Sequence, residues 1–153
     1  MWFNPDLVII ELESESREDV LLNLGNQLVK GGYVKGDFIE SVLARESNFP
    51  TGLPTKPFGI AIPHTDADKV IDPQLAFASL KTPVTFNTMG SANEEIEVKL
   101  VFMLALNNPE EQLKSLQRLT EIFQDEEMVL KLSQAKNAEE VNELMESSEK
   151  ARF

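Results

Sequence analysis

The chain has 153 residues, no cysteine, one histidine and a formal net charge of −12, from 14 Lys and Arg against 26 Asp and Glu. This length suits one domain, and the missing cysteine excludes disulfides, thiolate chemistry and Cys-ligated metal sites. A negative surface repels phosphate backbones, which argues against nucleic-acid binding. One histidine cannot build a multi-His zinc centre, so we expect no metal and no cofactor.

The sequence gives no sign of a membrane-inserted or exported protein. No stretch approaches the roughly 18 apolar residues that a membrane span requires. The start, Met1–Asp6, has no basic segment leading into an apolar run, so it does not resemble a signal peptide. We therefore expect a soluble, cytoplasmic protein without direct membrane insertion. Without repeats or a composition shift, residues 1–153 are predicted to form a single domain.

The first third of the chain is predicted to form one strand and two helices. Leu7–Ile10 is a short apolar run typical of a buried strand. Ser16 is a suitable N-cap for a helix, which the Gly31–Gly32 pair ends. Asp37 begins a second helix. The loop that follows, residues 47–58, is rich in proline and glycine.

The middle of the chain is predicted to form strands. Gly59–Ile62 is a short apolar run bounded by Gly and Pro, and Leu75–Leu80 alternates in part. Val84–Phe86 is a shorter candidate before a turn at Gly90–Asn93. Ile96–Leu106 changes from alternating to continuously apolar. That change predicts a central strand with both faces covered.

The last third is predicted to be helical. Asn108 as N-cap, followed by proline at the first position, marks a helix start. Two shorter helices are expected near residues 126–133 and 138–146, and residues 147–153 are expected to fray. The order of strand, helices, strands and helices predicts an α/β fold: a single mixed sheet of about five strands, flanked by helices on both faces.

His64 is the strongest candidate for chemistry. It follows Gly59–Ile62 and Pro63, which cannot donate to a ladder and fixes φ, so the direction of the ring is controlled. At the carboxyl end of a strand, where open sheets bind ligands, we expect an exposed imidazole. A neutral imidazole is a competent nucleophile for phosphoryl transfer. The alternative is a structural histidine with both nitrogens satisfied locally.

The segment Gly59–His64, Gly-Ile-Ala-Ile-Pro-His, resembles the phosphorylation motif of the type-2 enzyme IIA domains of the bacterial sugar phosphotransferase system. Arg45-Glu46 and Thr51-Gly52 resemble that family's Arg-Glu and Thr-Gly elements. The likeness covers nearly the whole chain. Phe49–Leu53 and Pro63–Asp66 look most like the galactitol-type branch.

The resemblance implies a phosphocarrier in the uptake of a sugar or sugar alcohol. His64 would accept a phosphoryl group from the phosphohistidine carrier HPr and pass it to a IIB component, with Nε2 as the usual acceptor in this family. Arg45 would stabilise the phosphoryl charge or brace the loop. A surface salt bridge is the alternative for Arg45. The alternative function is a nitrogen-type regulatory module that binds partner proteins according to its phosphorylation state.

The chain departs from the family pattern in two places. Many members carry a second histidine early in the helix after the long strand, where this chain has Gln112. A Gln amide can donate a hydrogen bond to a phosphoryl oxygen but cannot carry charge, and a plain exposed residue is the alternative. The loop between Arg45 and His64 is also a few residues longer than the common pattern.

Three further groups of residues flank His64. Thr65 could donate its hydroxyl to the phosphate or only cap a turn. Asp66 could orient the imidazole, but a carboxylate repels a phosphoryl dianion, so Asp66 and Asp68 are expected to be turn or cap residues. An apolar ring for the HPr-like carrier is expected from the flanking loop, with burial in the core as its alternative. Its candidates are Phe49, Leu53 and Phe58.

Overall fold

A computed structural model describes residues 2–152, with the side chains of residue 92 and residues 149–152 outside that description. Within this part of the chain, five strands form one mixed sheet and five α-helices pack on it. The strands are β1 (Val8–Leu12), β2 (Gly52–Leu53), β3 (Gly59–Ala61), β4 (Gln74–Thr88) and β5 (Ser91–Ala105). The helices are α1 (Arg17–Lys30), α2 (Phe38–Asn48), α3 (Pro109–Ile122), α4 (Glu126–Gln134) and α5 (Ala138–Arg152).

The sheet is built around β4 and β5. They form a long antiparallel pair, and β1 pairs in parallel with the outer side of β4. On the other side, β5 pairs in parallel with β3, which pairs antiparallel with β2. β2 also meets the end of β4 through Gly52 and Thr88. The prediction of β5 as a central strand is confirmed, since it has strands on both sides.

Helices cover both faces of the sheet, as predicted. The side chains of β4 alternate between two cores: Ala76 and Ala78 face the first, and Phe77 faces the second. The first core lies under α1 and α2 and includes Leu21, Leu24, Phe38 and Val42. The second core lies under α3, α4 and α5 and includes Phe102, Leu119, Val129, Leu132 and Met145.

The helix starts follow the predicted caps in two of three cases. The Ser16 side chain accepts a hydrogen bond from the backbone N–H of Asp19 and begins α1. The Asn108 side chain accepts from two backbone N–H groups and begins α3. Asp37 begins α2 without a side-chain capping bond, and its Oδ2 accepts a hydrogen bond from Nζ of Lys69 at 2.6 Å.

Two expectations are corrected. The separate strands Leu75–Leu80 and Val84–Phe86 are one strand, β4, whose register with β5 shifts between Ser79 and Val84. Proline is tolerated at such an irregularity, so Pro83 does not end the strand. Residues 147–152 of the expected tail belong to α5, and Phe153 lies outside the described residues. Ser148 is only 5% exposed, so the buried face of this helix extends beyond Met145.

The hairpin of β2 and β3 is held close to the rest of the sheet by two glycines. A Cβ on Gly52 would lie 2.5 Å from the backbone oxygen of Asn87, and one on Gly59 would lie 2.8 Å from that of Glu97. Real side chains do not tolerate such contacts, so both positions need glycine. The segment that leads to His64 is therefore fixed against the long strand pair.

None of the helices in the described residues combines the length and the apolar character that a bilayer crossing requires.

Candidate active site around His64

Backbone contacts with β5 hold His64 in place. β3 ends at Ala61, and the carbonyl oxygen of Pro63 then accepts a hydrogen bond from the backbone N–H of Leu104 at 3.0 Å. His64 itself forms an isolated parallel bridge with Leu104. The predicted position at the carboxyl end of a strand is confirmed. The backbone of His64 is thus tied to the central strand of the sheet.

The hydrogen bond of the ring defines its tautomer. Nδ1 of His64 lies 2.9 Å from the carbonyl oxygen of Ile62. A carbonyl oxygen can only accept, so Nδ1 must carry the proton. The neutral ring then has its free lone pair on Nε2. Among the described residues no group donates to Nε2, so the alternative of two locally satisfied nitrogens is not realised.

The expectation of an exposed imidazole was wrong. His64 is 8% exposed, and its neighbours Pro63 and Thr65 are buried as well. Pairing with β5 draws this segment into the protein, an effect that the local sequence pattern does not contain. Little of His64 is therefore accessible from solvent.

Burial keeps the ring uncharged. Desolvation is the main cause that lowers the pKa of His64 below its usual 6.5, and the positive charge of Arg45 lowers it further. The hydrogen bond to Ile62 acts in the opposite direction. At neutral pH the imidazole is therefore in its neutral form, with the unprotonated Nε2 that a nucleophile requires.

A pH titration of the ring tests this electrostatic environment. We expect His64 in the folded protein to take up its proton at a pH below 6.5, and near that value when the chain is unfolded in urea. The folded state binds this proton less readily, so the free energy of unfolding should fall as the pH drops from 6.5 through the folded pKa. NMR of the imidazole resonances measures both values. A folded midpoint at or above the unfolded one contradicts the prediction.

Arg45, in the last turn of α2, supplies a positive charge beside the ring. Its Nη1 lies 4.0 Å from a carboxylate oxygen of Asp66, and its guanidinium lies 5.2 Å from the ring centroid of Phe49. Nε is buried and has no hydrogen-bond partner among the described residues. The contact with Asp66 is long and exposed, so it contributes only about 0–1 kcal/mol. The guanidinium therefore keeps a donor that no described residue uses.

The motif residues Glu46 and Thr51 form a buried hydrogen-bond chain to the site. Glu46 is 2% exposed, and its carboxylate accepts the backbone N–H and the hydroxyl of Thr51, each at 2.8 Å. The Thr51 hydroxyl oxygen accepts the backbone N–H of Ile62 at 3.2 Å. The carbonyl of Ile62 in turn binds His64. Sequence reasoning gave these two residues no role, although the Arg-Glu and Thr-Gly elements pointed to them.

Thr65 and Gln112, the two predicted donors to the phosphate, lie in different surroundings. Thr65 is buried, and its hydroxyl shares a short hydrogen bond with the hydroxyl of Ser41 on α2. Gln112 lies in the second turn of α3, and its amide oxygen is buried with no partner in the described part of the chain. It is half-buried, so it is not the plain exposed residue of the alternative. In the described part of the chain no hydrogen bond joins Gln112 to His64.

The expected turn role of the acidic residues holds for Asp66. It precedes a short 3-10 helix, Ala67–Lys69, and its carbonyl oxygen accepts the backbone N–H of Lys69. Asp68 lies inside that helix and is exposed.

The three apolar candidates for the partner face divide into two groups. Phe49 is 64% exposed and stands beside Arg45. Leu53 and Phe58 are half-buried and pack against the second core. The alternative of core burial thus applies in part to Leu53 and Phe58, and of the three candidates only Phe49 is largely exposed.

Comparison with known proteins gives a consistent picture. The family model described as "Phosphoenolpyruvate-dependent sugar phosphotransferase system, EIIA 2" matches residues 1–148. The galactitol-specific EIIA component of Escherichia coli K12 is 32% identical over 113 residues, which cover 74% of this chain and 75% of that protein.

Two solved structures share the fold over nearly the whole chain. The complex of enzyme IIAMTL and phosphorylated enzyme IIBMTL from Escherichia coli matches with a TM-score of 0.78 and 26% identity, over 95% of this chain and 97% of that one. The nitrogen regulatory protein IIA-Ntr from Neisseria meningitidis matches with a TM-score of 0.76 and 25% identity, over 94% of this chain and 96% of that one.

Proposed function

Because this chain belongs to the EIIA 2 family of the phosphoenolpyruvate-dependent sugar phosphotransferase system, we propose that it is a phosphocarrier with His64 as the phosphoryl acceptor. Phosphorylated HPr is the proposed donor, and a IIB component is the proposed acceptor. One observation carries the proposal: the Nδ1–H of His64 is bound to Ile62, which leaves the lone pair of Nε2 free beside the charge of Arg45.

The proposed transfer needs little from the protein beyond position and charge. Nε2 of His64 attacks phosphorus, a new N–P bond forms, and the N–P bond of the donor phosphohistidine breaks. The donor imidazole leaves with the electron pair, while the proton on Nδ1 stays against Ile62. Arg45 stabilises the charge on the phosphoryl oxygens, because its positive charge acts at the position of His64. Thr65 and Gln112 are further proposed donors to these oxygens.

The proposed partner face is centred on Phe49. A large exposed aromatic ring is typical of the buried centre of a protein interface, and this one adjoins Arg45. Leu53 and Phe58 support it from the core side of the same loop. The net charge of −12 would speed the encounter with a basic carrier surface.

The proposed pathway is galactitol-type uptake, and the proposed location of this protein is the cytoplasm. Support comes from the galactitol-specific EIIA component, which is 32% identical to this chain. The complex of a mannitol IIA with its phosphorylated IIB supports a IIB domain as the partner. Specificity for galactitol would then reside in the choice of IIB, because only phosphate passes through His64.

Stepwise reconstitution tests the function. Incubation with phosphorylated HPr should add one acid-labile, base-stable phosphate per chain, measured with labelled phosphate and intact-protein mass spectrometry. A galactitol-type IIB should then remove it faster than a mannitol-type IIB. A chain that takes no phosphate from HPr contradicts the proposal.

The similarity to nitrogen regulatory protein IIA-Ntr favours one second function, a regulatory module. The same reconstitution distinguishes the two. A chain that is loaded on His64 but discharged by neither IIB supports regulation by partner binding, whereas discharge by either IIB supports transport.

A further inference from the structure

The buried carboxylate of Glu46 is fully engaged by one residue. Burying a charged group is costly unless hydrogen bonds compensate for the lost water. Here one carboxylate oxygen accepts the backbone N–H of Thr51 and the other accepts its hydroxyl. Desolvation by burial raises the pKa of Glu46, and the hydrogen bonds from Thr51 and the charge of Arg17 on α1 act against that rise. This arrangement fixes Thr51 more firmly than a loop anchor on the surface would.

The Thr51 hydroxyl has a defined direction as a consequence. Its hydrogen points to Glu46, so its lone pairs are left for the backbone N–H of Ile62 at 3.2 Å. The peptide that follows carries the Ile62 carbonyl oxygen, which accepts Nδ1–H of His64 at 2.9 Å. The Ile62 N–H also lies 3.4 Å from the backbone carbonyl oxygen of Thr51, so the hydroxyl and the main chain of Thr51 together hold the Ile62 segment in place.

We propose that Glu46 is a positioning residue for His64: through Thr51 it orients the segment at Ile62 and so fixes the tautomer and the direction of the imidazole. An effect of Glu46 on the rate of phosphorylation rests on the function proposed above, whereas its effect on the tautomer does not. A carboxylate that merely stabilised the loop would affect thermal stability and leave the ring unchanged.

The test compares hydroxyl variants in the same loop. Thr51→Val keeps the branched shape but removes the hydroxyl and its bonds to Glu46 and Ile62, while the backbone bonds of Thr51 to the same two residues remain. Thr51→Ser keeps the hydroxyl. The matched control is Thr55→Val, since the Thr55 hydroxyl donates to the carbonyl oxygen of Phe58 at 2.7 Å and lies outside the chain of bonds. Nitrogen-15 NMR of the His64 ring reports the tautomer, and the rate of phosphorylation by HPr reports the geometry.

We expect Thr51→Val to populate the second tautomer and to slow phosphorylation about 10-fold to 100-fold, the scale of a misplaced reacting group. Thr51→Ser and Thr55→Val should both keep the wild-type tautomer of His64 and the wild-type rate of phosphorylation. A folded Thr51→Val variant with an unchanged tautomer and rate overturns the proposal.

Glu46→Gln keeps the test decisive if Thr51→Val does not fold. The amide offers one acceptor and must present a donor on its other side, so the Thr51 hydroxyl has to turn. We expect the same shift in the tautomer; an unchanged tautomer in folded Glu46→Gln contradicts the proposal. If the wild-type chain takes no phosphate, the proposed function fails while the NMR result still decides the role of Glu46.

Discussion

Replacing His64 with asparagine is expected to abolish phosphoryl acceptance, a loss of more than about 10³-fold. The asparagine amide can still donate to the Ile62 carbonyl from near the position of Nδ1, but nothing replaces the nucleophilic Nε2. The chain has no other histidine and no cysteine that could take over. Labelled phosphate transferred from phosphorylated HPr, followed by peptide mapping, measures the effect.

The fold of this variant provides the control. Because the bond to Ile62 can be retained, we expect the thermal unfolding midpoint of His64→Asn to stay close to that of the wild-type protein. A well-folded variant that still gains acid-labile phosphate would place the acceptor elsewhere and remove the basis of the proposed function.

Neutralising Arg45 is expected to have the second largest effect. Arg45→Gln removes the positive charge beside the ring, and loss of one such stabilising group typically costs about 10²–10³ in rate. Arg45→Lys should be intermediate, because an ammonium keeps the charge but loses the planar fork of donors. Single-turnover transfer from phosphorylated HPr measures the loss.

Asp66→Asn is the matched control for Arg45. It removes the carboxylate that faces Nη1 at 4.0 Å but leaves the guanidinium in place. We expect a rate within about twofold of wild type, since an exposed ion pair at this distance contributes little. A wild-type rate for Arg45→Gln would show that the charge has no part in the transfer. The pKa of His64 should also rise in Arg45→Gln, because that charge now lowers it.

Local patterns predicted most of the secondary structure. The continuously apolar part of β5 indicated a central strand, and Ser16 and Asn108 marked two helix starts. The two-residue strand β2 was missed, because its pairing partners lie in β3 and β4 and its own residues carry no strand pattern. Its place in a proline-rich loop depends on tertiary contacts alone.

The sequence predicted candidate residues for the site but not their environment. The motif indicated His64 and Arg45 as candidates, but the burial of His64 depends on pairing with β5, which no neighbouring residue in the sequence indicates. Glu46 is a charged residue of a type that usually lies on the protein surface. Its role follows only from the bonds to Thr51. Charged residues next to motif positions therefore need the fold before they can be interpreted.

The Ile62 carbonyl has a consequence for the loaded carrier as well as for the resting one. In the proposed cycle, phosphate on Nε2 leaves the proton on Nδ1, held by this oxygen at 2.9 Å, so the loaded ring is a cation. When the phosphoryl group departs, the ring is released as neutral imidazole, a much better leaving group than an imidazolate anion. A single main-chain oxygen would thus favour both uptake and discharge of the cargo, and neither step would require a second titrating side chain.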